Sequence, residues 1–168
     1  MSRSLTITNK LLSLRGRMLI GDGEGRERYE ARGQFSLLSP TWRLLRDGEL
    51  LGSVRKRLLA WRPTWDVRIG NEHFVIDRKL LALRRIHRVH GGRFDGATLT
   101  GNFWDFTFQV EHHGRELARA RGKLLTLRDT HSIELASDAA EDELFVVMGM
   151  IVVLLDRKDN SSNHAPKS

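Results

Sequence analysis

Hydrophobic and polar residues alternate with a period of two over several short stretches of the chain. In "TWDVRI", which starts at Thr64, and in "FTFQVE", which starts at Phe106, the apolar residues stand at every second position along most of the segment. This period is typical of strands that bury one face. Turn-forming pairs such as Asp47-Gly48 separate the stretches at the spacing that hairpins require. The pattern predicts short antiparallel strands joined by tight turns.

One motif occurs four times: a basic residue, two leucines, a small residue, a large apolar residue and an arginine. It stands at 10–15, 57–62, 79–84 and 123–128. The spacing of the last three copies indicates a unit of about 22 residues, enough for two strands with their turns. Six units predict about twelve strands, and segment 48–69 aligns with 114–135 at an offset of 66, which indicates two similar halves. A solenoid of six units is the weaker alternative, because no capping repeats are visible.

We interpret the repeated motif as structural. It is predicted to form the strand-entry segment of a hairpin, with one leucine facing the interior and its neighbour the opposite face, because adjacent strand residues point in opposite directions. Its arginines, such as Arg62 and Arg128, are predicted to pair with nearby carboxylates such as Asp66 and Asp129. A functional reading of the motif stays open as the weaker interpretation.

An unbroken apolar run at 144–155 interrupts the strand pattern. Asp138 and Glu141, just ahead of it, have the spacing of a helix capping box, so we predict a helix over about 139–156. A helix that is apolar on every side must be enclosed on every side, and this run is too short to span a bilayer. A barrel of about twelve strands has an interior wide enough for a helix.

The predicted fold is therefore mainly β: a closed barrel of about twelve antiparallel strands in two pseudo-repeat halves around a central hydrophobic C-terminal α-helix. One domain over 1–157 and a disordered polar tail over 158–168 complete the prediction. A length of 168 residues with 40% hydrophobic and 29% charged residues is typical of a folded globular domain.

The order of these segments resembles the LURP-one-related family, which belongs with tubby C-terminal domains and phospholipid scramblases in one superfamily. The resemblance covers about 6–157, and its most specific elements are "GQF" at 33–35, "LLAWRPTWDV" at 58–67, "LRDTHSIEL" at 127–135 and the terminal helix that runs into Asp156. It implies a twelve-stranded barrel around a hydrophobic helix. Tubby domains bind phosphoinositide head groups through basic residues on the barrel, so the resemblance also implies lipid binding, without a residue-by-residue match of that site. Superfamily membership alone suggests lipid scrambling.

The net charge of +7 predicts an anionic partner. An anionic leaflet attracts each nearby Lys or Arg by about 1 kcal/mol, and the bidentate geometry of arginine can select a head group. Two basic clusters are therefore our candidates for lipid binding: Lys79, Arg84, Arg85 and Arg88 form the first, and Arg55, Lys56 and Arg57 the second. The alternative partner is an acidic protein, with the chain acting as an interaction or regulatory scaffold.

Other function classes are weakly supported. Nucleic-acid binding is disfavoured because base stacking needs exposed aromatic residues, and we assign four aromatic residues to the core: Trp61, Trp65, Phe106 and Phe108. The histidines, such as His87 and His90, are interpreted as surface residues, because on strands or turns they do not converge on a metal. We predict no enzyme activity, no catalytic residues, no metal and no cofactor.

Cellular location is an expectation from two further features of the sequence. The chain has no cysteine, which excludes disulfides and thiolate metal sites and is typical of a reducing compartment. The first ten residues lack the apolar core of a secretory signal. We expect a cytoplasmic protein without a transmembrane segment, able to associate peripherally with the inner membrane surface.

Overall fold

The structure is a computed structural model of the chain, and it describes residues 3–10, 16–34, 39–79, 85–102, 107–121 and 130–163. Within them, twelve antiparallel strands form a closed barrel around one helix. The strands are β1 Arg3–Lys10, β2 Arg17–Asp22, β3 Glu27–Gln34, β4 Thr41–Arg46, β5 Glu49–Lys56, β6 Thr64–Ile69, β7 Glu72–Arg78, β8 Arg85–His90, β9 Thr98–Asn102, β10 Thr107–His112, β11 Arg115–Ala120 and β12 Thr130–Leu135; the helix is α1 Ala140–Asn163. Each strand pairs with its neighbours in sequence, and β1 closes the barrel on β12. The predicted fold class is confirmed.

Helix α1 fills the barrel. From Phe145 to Val153 its side chains are buried, and they meet inward-facing strand residues such as Trp65 and Phe74. Burial of each large apolar side chain contributes about 1.5–3 kcal/mol. A Cβ at Gly149 would lie 2.8 Å from Leu99 Cδ2, so this glycine allows the strand side chain to approach the helix closely.

The ends of α1 differ from the prediction in detail. The amide of Glu143 donates to the carbonyl of Ala139 at 3.1 Å, which places Ala139 at the N-cap position. The predicted capping box of Asp138 and Glu141 is therefore wrong, and the Asp138 carbonyl instead accepts a hydrogen bond from Arg3. At its other end the helix continues to Asn163, into the segment predicted to be disordered; residues 164–168 lie outside the described part.

The two pseudo-repeat halves are visible in the backbone. Strands β4, β5 and β6 begin 66 residues before β10, β11 and β12. A bulge follows the fourth residue of both β4 and β10. The next turn in each half has a non-glycine residue with positive φ, Asp47 at 52° and His113 at 50°, followed by a glycine, as type I′ hairpins require. The same local geometry therefore occurs twice.

The four strands that precede the copies of the repeated motif, β1, β5, β7 and β11, all finish at the same end of the barrel. We call this the loop end; Asp156 and Asp159 of α1 also lie there, in contact with Arg78 and Lys56. The opposite end is the turn end.

Only the motif copy at 57–62 is described in full, and it is a loop rather than a strand entry. Leu58 and Leu59 are 51% and 102% exposed, because β5 ends at Lys56 and the chain leaves the sheet there. The predicted inward leucine is wrong for this copy, and Arg62 pairs with Asp77 at 3.0 Å rather than with Asp66. Arg128 and Asp129 lie outside the described residues, as does most of each other copy.

Candidate anion-binding surface

A row of cations crosses the outer surface of β4, β5 and β6. The strand register places Arg43 opposite Ser53, and Ser53 opposite Arg68. Side chains that are directly opposite on paired strands project from the same face of the sheet. Arg43 and Arg68 are exposed, so two guanidinium groups flank the Ser53 hydroxyl on strands that together span about 10 Å. We call these three residues the β4–β6 row.

Arg55 extends the row toward the loop end, since it lies two residues along β5 on the same face. Its Nε donates to Ser39 Oγ at 2.9 Å, which positions the side chain. Among the described residues, no carboxylate forms an ion pair with Arg43, Arg55 or Arg68. The three arginines leave donors in fork geometry available to an anion such as a phosphate.

The carboxylate of Asp66 lies on this same outer face of β6 and is already occupied. Arg57 Nε and Nη2 donate to the two oxygens of Asp66 at 2.9 and 2.6 Å, and His73 lies 3.2 Å from the same group. The hydrogen bonds from Arg57 lower the pKa of Asp66; partial burial opposes this effect, and His73 lowers the pKa further. Asp66 therefore stays ionised, and its ion pair is with Arg57, although the strand register also places it directly opposite Arg55.

The seven predicted lipid-binding residues divide between the two faces of the barrel wall. The outer, exposed residues are Arg55, Arg57, Lys79 and Arg88. Lys56 and Arg85 turn inward and contact α1, with Lys56 Nζ 2.6 Å from Asp159 and Arg85 Nη1 3.6 Å from Asp156. Arg84 lies outside the described residues. Each predicted cluster is split because neighbouring strand residues face opposite sides.

Asp156 is the centre of a buried charge cluster at the loop end. Its oxygens lie 3.0 Å from Arg78 and 3.4 Å from His87 Nε2, and it is 2% exposed. Burial raises the pKa of Asp156, but the hydrogen bond and charge of His87 and the charges of Arg78 and Arg85 outweigh it and hold the pKa below its ordinary value. The cluster ties the C-terminal half of α1 to β7 and β8.

Two assignments made from the sequence are wrong at this end of the barrel. His87 is fully buried beside Trp65, since it occupies an inward position of β8, so it is not a surface histidine. Trp61 is 95% exposed, since it lies in the loop between β5 and β6, so it is not a core residue. Trp65 and Phe108 are buried as predicted, and Phe106 lies outside the described residues.

The described ranges hold neither a candidate metal site nor a candidate membrane-spanning helix. No group of three or more His, Cys, Asp or Glu side chains there could hold a metal ion. Nor does that part of the chain contain a helix that is both long enough and apolar enough to cross a membrane.

Comparison with known proteins identifies the fold and the family. The sequence profile described as LURP-one-related matches residues 3–156. An X-ray structure of a protein from Arabidopsis thaliana superposes with a TM-score of 0.63 over 93% of this chain and 91% of that chain, at 16% sequence identity. At this identity the likeness concerns the fold. No curated protein matches the chain at a significant level.

Proposed function

This chain belongs to the LURP-one-related family, and we propose that its tubby-like barrel binds the head groups of anionic phospholipids or phosphoinositides at a membrane surface. The outer face of β4–β6 is the proposed contact. The observation that carries the proposal is the β4–β6 row. In this row Arg43 and Arg68 flank the Ser53 hydroxyl, and neither arginine forms an ion pair with a carboxylate of the described residues.

The second half of the barrel provides an internal reference for this row. At the same three positions, 66 residues later, stand Gln109, Arg119 and Glu134, again directly opposite one another. Arg119 forms an ion pair with Glu116 of its own strand. The fold therefore does not require a cationic row at this place, which supports a binding role for the arginines of β4–β6.

Charge and geometry both suit a phosphorylated lipid surface. Arg43, Arg55 and Arg68 each add about 1 kcal/mol of attraction near an anionic leaflet. Lys79, just past the end of β7, and Arg88 of β8 are also exposed. Arginine forks bind phosphate oxygens in pairs, and the Ser53 hydroxyl can donate a further hydrogen bond.

Vesicle co-sedimentation tests the proposal. The protein is mixed with phosphatidylcholine vesicles, alone or with phosphatidylserine or one phosphoinositide, at low and physiological salt. We expect binding to the anionic vesicles that persists at physiological salt. Arg43→Gln with Arg68→Gln removes two charges, about 2 kcal/mol of attraction, and should weaken binding about 30-fold.

A control variant with the same net charge makes this test specific. Arg26→Gln with Arg119→Gln also removes two cations, but from the turn end and from the opposite half of the barrel. Binding that falls equally in both variants would show generic attraction to the net charge. Binding that vanishes at physiological salt and does not depend on the identity of the head group would favour the scaffold function. Reversal of Arg85 is not a suitable test, because it would place a second carboxylate beside Asp156.

A further inference from the structure

The loop between β5 and β6 exposes a cluster of large apolar side chains. Leu58 is 51% exposed, Leu59 102% and Trp61 95%, all within four residues. Elsewhere in the described part of the chain, Leu50 is the single other large apolar residue that is exposed. Isolated apolar residues at a surface are ordinary, whereas a contiguous group marks an interaction site.

The loop is held at both flanks, so its exposed tip is not a frayed end. The amide of Arg57 donates to the carbonyl of Thr64 at 2.9 Å, and the Thr64 hydroxyl donates to the carbonyl of Arg62 at 2.9 Å. Arg57 and Arg62 form ion pairs with Asp66 of β6 and Asp77 of β7. The leucines and Trp61 project between these two anchors without packing on the barrel core.

The loop continues the candidate anion-binding surface. The outward positions Ser53 and Arg55 of β5 lead toward the loop end, Arg57 follows just past the end of the strand, and the next residues are the two leucines. An arginine borders the apolar tip on each side. Tryptophan is favoured at membrane interfaces, where its ring lies at the level of the head groups, and arginines can bury their stems while their charged ends reach phosphates.

We propose that the apolar tip of this loop, Leu58 to Trp61, inserts into the interfacial region of an anionic bilayer and orients the β4–β6 row against the head groups. This inference rests on the proposed function and adds the depth and direction of docking. A bilayer fits better than a folded protein partner, because four residues are far short of the roughly 800 Å² that each partner contributes to a stable interface. Arg43, Arg55 and Arg68, on the outer face that leads to the loop, also match a surface of phosphates rather than an apolar groove.

Tryptophan fluorescence tests the insertion. Vesicles of phosphatidylserine with phosphatidylcholine that carries brominated acyl chains should quench the native protein, and Trp61→Ser should lose that part of the quenching. Trp42 and Trp65 are buried in the barrel and should not respond. Leu59→Ser with Trp61→Ser should weaken sedimentation with the same vesicles by about tenfold to hundredfold.

Leu50→Ser is the matched control, since Leu50 is 56% exposed but lies at the turn end; its vesicle affinity and quenching should equal those of the native protein. Unchanged thermal unfolding would show that the loop variants remain folded.

If the native protein sediments with anionic vesicles but is not quenched, and the double variant binds equally, the insertion is wrong while the proposed function stands. If the native protein does not sediment, both are wrong. A dimer in gel filtration that the double variant abolishes, without any loss of vesicle binding, would assign the loop to self-association and overturn the insertion.

Discussion

The row on the outer face of β4–β6 reads Arg43, Ser53, Arg68, and the row on β10–β12 reads Gln109, Arg119, Glu134. The strands beneath the two rows share their offsets, their bulges and the conformation of one turn. The inward positions also correspond: Trp42, Val54 and Val67 are buried, as are Phe108, Ala120 and Ile133 at the equivalent places.

Core packing explains why the inward positions are similar in the two halves. Each inward side chain must fill space against α1, so its polarity and size are restricted. Outward side chains meet solvent and can differ without cost to the fold. The difference in charge between the two rows is therefore a property of the two surfaces and not a requirement of the barrel fold.

The largest expected effect comes from breaking the buried charge cluster around Asp156 of α1, the helix that both halves of the barrel enclose. Asp156→Asn leaves Arg78 and Arg85 beside a neutral amide, with side chains only 15% and 24% exposed. Removal of one partner from a buried ionic cluster costs about 3–5 kcal/mol. We expect a loss of this size in urea denaturation, with both halves unfolding in one transition. Asp159→Asn is the control: its pair with Lys56 is partly exposed and should contribute less than about 1 kcal/mol. Equal losses in the two variants would contradict the buried cluster.

The same cluster predicts a dependence of stability on pH. The pKa of Asp156 is held below its ordinary value, which is about 3.9 in an unfolded chain. The native state therefore binds this proton at lower pH than the unfolded state does. Its contribution is complete above about pH 5, declines as the pH falls through the unfolded value, and is lost below the lower native pKa. The free energy of unfolding between pH 6 and 3 should decline less in Asp156→Asn than in the native protein.

A glycine distinguishes the two halves inside the barrel wall. Gly52 of β5 corresponds to Ala118 of β11, but a Cβ at Gly52 would lie 2.5 Å from the carbonyl oxygen of Arg68 and 3.0 Å from Met148 Cε. Gly52→Ala forces the backbone of β6 to shift and should cost about 1–3 kcal/mol. Ala118→Gly, the reciprocal change, should cost about 1 kcal/mol through backbone entropy and the lost methyl group. Thermal unfolding measures both; a stabilising Gly52→Ala would show that the strands at this place are looser than the structure indicates.

Exchange of the two rows separates local charge from net charge. The exchanged protein keeps the composition and the net charge of +7. It carries Arg43→Gln, Ser53→Arg and Arg68→Glu in the first half, and Gln109→Arg, Arg119→Ser and Glu134→Arg in the second. The face next to the exposed loop loses two charges, so affinity for anionic vesicles should fall about 30-fold. Full affinity in the exchanged protein would mean that the position of the cations is unimportant.

The barrel and its helix were predictable because each is encoded by local periodicity. Alternation indicates strands, and a run that is apolar on every side indicates an enclosed helix. The assignment of Trp61 to the core is wrong because, in the sequence, an apolar residue just beyond the end of a strand has the same pattern as an apolar residue within the strand. Pro63 was the available signal, since proline in a sheet is confined to strand starts, edges and bulges.

The candidate surface was only partly predictable because it is assembled across strands. Arg43 and Arg68 are single arginines in "TWRLLR" and "TWDVRI", so a search for basic clusters along the chain passes over them. Comparison at the offset of 66 would have found them, since they align with Gln109 and Glu134. The inward direction of Lys56, Arg85 and His87 depends on strand register, which a single sequence does not specify.

The smallest expected effect concerns Asp66, which corresponds to Ser132 in the second half. Asp66→Ser releases Arg57 from a bidentate pair and adds one net positive charge to the β4–β6 face. Affinity for anionic vesicles should rise about fivefold, the equivalent of about 1 kcal/mol. Stability should fall by less than about 1 kcal/mol, since the Arg57 side chain is 48% exposed. Ser132→Asp, the reciprocal change on the opposite face, should alter vesicle binding much less; an equal and opposite effect there would mean that the membrane does not distinguish the two faces.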